Sequence, residues 1–88
     1  MNSTRSITDL EQEVVELVAQ YLKKPRSEIS LDASLRDQLG IDSFGMFELT
    51  YQFQEKYGLE IPEEELKVIK TTRDISTLLN KRWPRKKI

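Results

Sequence analysis

At 88 residues the chain has room for one small domain and not for two, and a domain of that size buries a modest core. It contains no Cys and no His, which excludes disulfides, thiolate zinc sites and histidine-based triads, so any thiol chemistry has to come from a cofactor. The formal net charge is -1, but residues 1–80 hold all fifteen acids against nine bases, a net of -6, and an acidic body is repelled by the phosphate backbone of nucleic acid.

Thr8 followed by Glu11 reads as a capping box, and Leu10, Val14, Leu17, Val18, Tyr21 and Leu22 then recur at helical spacing, predicting a first helix of about 14 residues. Pro25 stops it, because the residue before a proline is pushed out of the helical region. Residues 23–42 mix Ser27, Ser30, Asp32, Ser34 and Asp37 with Ile29, Leu31, Leu35, Leu39 and Ile41, which is turn chemistry carrying apolar anchors. A connection this long inside a compact domain has to pack or have a task, and the five aliphatic residues predict that it packs. Leu35 to Leu39 is expected to form a short helical turn, and Gly40 permits the backbone reversal after it.

Asp42 is a good N-cap for a second helix from Ser43 to Tyr57, which Gly58 closes in a left-handed conformation. Pro62 is expected at the first position of a short third helix, with Glu63, Glu64 and Glu65 set against the positive end of its dipole. Thr71 and Asp74 form a further capping box, and Ile75, Leu78 and Leu79 give a fourth helix its buried face until Pro84 stops it. The expected organisation is a single domain spanning 1–88, with a core of about 7–82 and a basic tail at 83–88. No apolar run approaches the roughly 20 residues that span a bilayer, and Met1–Ser6 lacks the apolar stretch of a secretory signal, so the expected compartment is the cytoplasm.

The second helix carries two apolar faces. Met46, Leu49, Thr50, Phe53 and Tyr57 fall within an arc of roughly 100°, the width of a core-facing stripe. Phe44, Phe47 and Tyr51 lie on another arc beside Glu48 and Glu55, where a small bundle ordinarily turns polar residues to water. Two readings stand side by side. In one, the long loop folds over these aromatics; in the other they form a docking surface, the carboxylates steering basic partners. The two can coexist, with Phe44 or Tyr51 partly covered and Phe47 outermost.

A serine at a helix start after a Gly-containing turn is exposed and backed by free backbone N–H groups, a setting that suits a phosphoester. Taken alone, Asp42-Ser43 is only a capping arrangement. Its surroundings add more. Leu39-Gly40-Ile41-Asp42-Ser43 followed by a helix resembles the modification signature of acyl carrier proteins, and Asp32-Ala33-Ser34-Leu35-Arg36-Asp37 looks like the loop that precedes it. Gly58-Leu59-Glu60-Ile61-Pro62 and Ile69-Lys70-Thr71-Thr72 resemble the leads into that family's third and fourth helices. The four motifs stand in order and register across residues 8–82, which gives weight that each lacks singly.

The resemblance implies an all-α four-helix bundle of acyl-carrier type, with a long first loop and a short third helix. It implies that Ser43 is esterified with 4'-phosphopantetheine from coenzyme A by a phosphopantetheinyl transferase, magnesium being supplied at that enzyme. Asp42 then caps the helix and positions Ser43, while Phe44, Phe47, Glu48, Tyr51 and Glu55 meet partner enzymes that transfer or activate acyl groups. The protein is expected to be a monomeric carrier rather than an enzyme, with no resident metal. Gly45 departs from the acid common at its position in fatty-acid carriers, and Phe44 and Phe47 from the usual aliphatics. Gly45 is expected to let a partner or the arm approach closely, and the aromatic character points to a dedicated lipid or specialised-metabolite pathway. An aminoacyl or peptidyl carrier, an unmodified interaction module, and a membrane or RNA contact through Trp83 and the tail remain open.

Overall fold

The structure, a computed structural model, describes residues 7–82. Among the described residues four helices follow one another: α1 (Ile7–Leu22), α2 (Ser43–Tyr57), α3 (Glu63–Leu66) and α4 (Thr72–Lys81), with a 3-10 turn at Arg26–Glu28 in the first loop. Trp83, Pro84 and the basic tail lie outside the described residues.

The core stripe of α1 is buried as its spacing requires: Leu10, Val14 and Val18 are inaccessible, with Val15 and Ala19 beside them. This face packs against α4, whose Ile75, Leu78 and Leu79 close the core from the other side. Thr8 sits inside α1 rather than at its N-cap, since a Thr with an acid three residues on does not by itself fix which residue starts the helix. The helix stops before Pro25 is reached. Lys23 takes a left-handed conformation (φ 59°), its N–H donating to the Gln20 carbonyl and that of Lys24 to the Ala19 carbonyl, the paired bonds of a Schellman ending.

The long loop packs. Ile29, Ala33, Leu35 and Ile41 are buried, and Leu31 and Leu39 lie against the same core. Ser34 acts as the cap of one helical turn, its hydroxyl accepting from the Asp37 N–H and its carbonyl from those of Gln38 and Leu39, so the expected turn at 35–39 forms. The loop also completes α4. The N–H groups of Thr72 and Arg73, which have no partner within a helix start, donate to the carbonyls of Ala33 and Leu31. Thr71 and Asp74 make the expected capping box, worth about 1 kcal/mol.

Pro62 is the N-cap of α3 and not its first helical residue; its extended ψ of 153° keeps it outside the single turn that follows. A helix of four residues cannot hold itself in place, because nucleation costs more than one turn returns. The Glu65 carboxylate ties α3 to the end of α4 instead, accepting from Arg82 at 2.8 Å with Lys81 at 3.8 Å. The Arg82 hydrogen bond holds the Glu65 carboxyl below its ordinary 4.5, against a smaller opposing effect of desolvation. A depressed carboxyl pKa stabilises above the unfolded value and that contribution is lost as pH falls. Hydrogen exchange is therefore expected to show α3 loosening as the pH falls below about 4.5, and Glu65→Gln to show α3 already loosened at neutral pH.

Candidate functional site

Where the loop turns into α2, Gly40 adopts φ 74° and Ile41 drops into the core, its N–H donating to the Leu35 carbonyl at 2.8 Å. This fixes the chain direction at Asp42. The Asp42 carboxylate then accepts from the Gly45 N–H at 2.9 Å and its carbonyl from the Met46 N–H, so that Asp42 is the N-cap expected from the sequence. Ser43, the first helical residue, is exposed. Because Asp42 does the capping, the Ser43 hydroxyl has no structural task and faces water next to the positive end of a 15-residue helix.

Beside Ser43 opens a cavity of about 530 Å3 between α2, α3 and the loop, with Leu35, Ile41, Met46, Leu66 and Ile69 among its apolar walls. Leu49 and Phe53 are inaccessible on the core side of α2, and the buried Thr50 hydroxyl is satisfied by the Met46 carbonyl at 2.8 Å. The opposite face is bare. Phe44 is 70% exposed, Tyr51 60% and Phe47 48%, so the long loop does not fold over the aromatics; its own aliphatics are spent on the α1–α4 core. Phe44 is the outermost of the three and Phe47 the most covered, the reverse of the expected order, because Phe47 leans over the cavity that Leu66 also lines.

Gly45 also differs from expectation. It is buried, and a Cβ built on it comes within 2.9 Å of Ile41 Cγ2 and 3.2 Å of the Tyr21 hydroxyl. The missing side chain therefore makes room for residues of this chain and not for a partner or the arm. Tyr21, assigned by its spacing to the apolar face of α1, reaches across this gap and donates to Glu48 Oε1 at 2.8 Å. The hydrogen bond to Glu48, followed by desolvation and the Glu48 and Asp42 charges, raises the Tyr21 phenol above its ordinary 10.0. Sequence reasoning missed this contact; the signal for it was the unexplained glycine one turn into α2. Glu55, one turn on from Tyr51 along the same helix, raises the Tyr51 phenol above its ordinary 10.0 as well.

Among the described residues no cluster of acidic side chains is arranged to hold a metal ion, and no helix is long and apolar enough to cross a membrane. Among the described residues, the fold presents an exposed serine hydroxyl at the start of α2, flanked by a cavity of mixed polar and apolar lining and by an aromatic face. Comparisons with known proteins identify the family. A family model described as the phosphopantetheine attachment site matches residues 12–79. The acyl carrier protein of Rickettsia canadensis is 37% identical over 78 residues, covering 88% of this chain and 91% of that protein. Those of Treponema denticola and Thermobifida fusca are 36% and 34% identical, covering 75% and 77% of this chain and 85% and 86% of their own length. The solution structure of the apo doublet acyl carrier protein from prodigiosin biosynthesis superposes with a TM-score of 0.75 at 26% identity; the match covers 96% of this chain and 41% of that one.

The chain belongs to the acyl carrier protein family. It is a non-catalytic carrier whose cofactor is phosphopantetheine, and it works with the enzymes that install that group and handle its acyl cargo. The site suits the cofactor: the exposed hydroxyl, the helix N-terminus and the adjoining cavity can take a phosphodiester and the arm beyond it. Once attached, the group supplies a thiol that holds an acyl chain as a thioester, presented to successive active sites at high effective concentration.

Proposed function

We propose that Ser43 is the attachment residue and that the protein is a dedicated carrier for a lipid or specialised-metabolite pathway rather than for bulk fatty-acid synthesis. The observation that carries the first part is the exposed Ser43 hydroxyl, relieved of capping by Asp42 at the N-terminus of α2. In the attachment step the Ser43 oxygen bonds to the pantetheine-bearing phosphorus of coenzyme A, adenosine 3',5'-bisphosphate leaves, and the hydroxyl proton passes to a base of the transferase. Asp42 contributes by fixing the first turn of α2, and so the direction of the hydroxyl.

The second part is supported by the aromatic face. Phe44, Phe47 and Tyr51 offer contact area at small entropic cost to partner enzymes, with Glu48 and Glu55 beside them. An acyl carrier protein of similar fold serves prodigiosin biosynthesis, which shows that the architecture is used outside bulk lipid synthesis. The carrier unit in this reading is residues 7–82, acting as a monomer in the cytoplasm, where coenzyme A is at hand.

Incubation of the protein with coenzyme A and a broad-specificity phosphopantetheinyl transferase is expected to add the mass of one phosphopantetheine and no more. An unchanged intact mass would overturn the attachment reading. The pathway is tested separately: efficient loading by general malonyl-transfer enzymes, followed by normal elongation, would remove the ground for calling the carrier dedicated.

A further inference from the structure

Two segments far apart in the sequence are held side by side at the cavity next to Ser43. The Leu35 N–H donates to the Lys70 carbonyl at 2.9 Å, and Ser34 pairs with Thr71 in an isolated antiparallel bridge, so the loop turn and the lead into α4 form one wall. That wall carries Arg36 and Lys70, and Lys67 at the end of α3 stands with them in the lining. All three residues are exposed, and none of them makes an ion pair with another described residue, whereas Lys24, Arg26, Arg73, Lys81 and Arg82 are all paired. The lining also holds Asp37, Asp42 and Glu63, of which Asp42 is committed to the Gly45 N–H. The cavity is thus balanced in charge within a body that is acidic overall, and its cations have not closed onto the carboxylates beside them.

Attachment at Ser43 puts an anion at the edge of this cavity. The phosphorus of a serine phosphodiester is bonded directly to the side-chain oxygen, and the group keeps a single negative charge at neutral pH. A space of about 530 Å3 is about 10 Å across, comparable to the screening length at 0.1 M salt, so a phosphate at Ser43 and the cations of the same lining attract one another in solution. Lys and Arg side chains swing on several rotatable bonds, and a cation without a partner gives up no existing pair to reach an anion. The other side of Ser43 offers a phosphate nothing comparable: Phe44, Phe47 and Tyr51 are uncharged, and Glu48 and Glu55 repel it. We propose that Arg36, Lys67 and Lys70 are a binding site for the phosphodiester of the arm, so that the arm lies across the cavity toward α3 and leaves the aromatic face of α2 open to partners. Each exposed contact of this kind biases a population by a factor of about five at most, so the site works through the three cations together. The inference rests on Ser43 as the attachment residue.

The test uses the full chain, loaded with coenzyme A and a broad-specificity transferase and checked by intact mass. Amide resonances of the protein before and after loading are compared at low salt and in 0.5 M salt, where the screening length falls to about 4 Å. At low salt, loading is expected to shift Leu35, Arg36, Lys67 and Lys70 as well as the residues flanking Ser43, with Tyr51 unmoved. The shifts remote from Ser43 are expected to be lost in 0.5 M salt and in Arg36→Gln/Lys67→Gln/Lys70→Gln, and to shrink in Lys70→Gln alone. Lys23→Gln/Lys56→Gln, which removes two cations outside this cavity, is expected to keep them. The salt comparison needs no variant, and it decides the matter if the triple variant is not loaded. Shifts confined to the neighbours of Ser43, or remote shifts that persist in 0.5 M salt or at full size in the triple variant, overturn the proposal; persistence would mean that the apolar walls hold the arm. Wild-type protein that gains no phosphopantetheine mass points instead to failure of the attachment reading, so the two failures are distinguishable.

Discussion

Ser43→Ala is expected to abolish the phosphopantetheine mass gain while leaving the melting temperature where it was. The two halves of that result come from one structural fact. The first turn of α2 is closed by the Asp42 carboxylate on the Gly45 N–H, so removing the Ser43 hydroxyl takes away the nucleophile without touching a cap. Ala is also the best helix former, and an exposed substitution away from special features stays within about 0.5 kcal/mol of the parent. Ser27→Ala and Ser30→Ala serve as controls: both serines are exposed in the long loop, yet neither stands at the start of an α-helix, and both variants are expected to load normally. Intact-mass measurement on the three proteins reads the outcome directly. Residual loading of Ser43→Ala would move the attachment point elsewhere and undo the account of the site.

Phe53→Ala is expected to have the largest effect on folding. Phe53 is fully inaccessible in the middle of α2, with its ring nearly parallel to that of Tyr57 (11°) at a centroid distance of 6.3 Å. The Tyr57 hydroxyl in turn donates to Glu13 of α1 at 2.6 Å, so the stacked pair helps to join the two longest helices. Truncating a buried Phe costs about 3–5 kcal/mol, counting lost transfer energy and the cavity left behind. Native domains have only about 5–15 kcal/mol in total, and one this small sits toward the lower end. Urea and thermal unfolding of Phe53→Ala should therefore show a markedly lower midpoint, or a chain already partly unfolded at 37 °C. Loading at Ser43 should fall with it, because the hydroxyl is presented by the helix that Phe53 anchors. Phe44→Ala is the contrast. With its ring 70% exposed, it is expected to unfold like the wild type, and its effect should appear only with partners. Equal midpoints for the two Phe variants would mean that the division of α2 into a core face and a bare face is wrong.

That division was readable in the sequence on one side only. A period of 3.6 places Leu49, Thr50 and Phe53 on one stripe, and burial follows because an apolar stripe has to be covered by something. The same arithmetic separates Phe44, Phe47 and Tyr51 from that stripe, but it cannot say whether another segment covers them. The loop had enough aliphatic residues to do so. It uses them elsewhere, with Ile29, Leu35 and Ile41 in the shared core and its carbonyls on the first turn of α4. Helix ends show a similar split. Asp42, Gly58, Thr71 and Asp74 act through hydrogen bonds and backbone angles local to a few residues, and they stand where the sequence puts them. Thr8 and Pro62 are displaced by one position or more, since the same local signals fit several neighbouring starts.

The sequence by itself determined the helical periodicities, the caps around Ser43, the acidic body, and the absence of thiol and imidazole that sends the chemistry to a tethered group. All of these are set by residue type and by spacings shorter than two helical turns. Only the tertiary structure decided that the aromatic face stays bare, that α3 is fastened by Glu65 to Arg82, and that Gly45 serves Tyr21. Each of the three depends on what lies opposite a side chain from a part of the chain many residues away. Nothing in a local pattern specifies which distant surface will arrive there, because that is fixed only when the whole core closes.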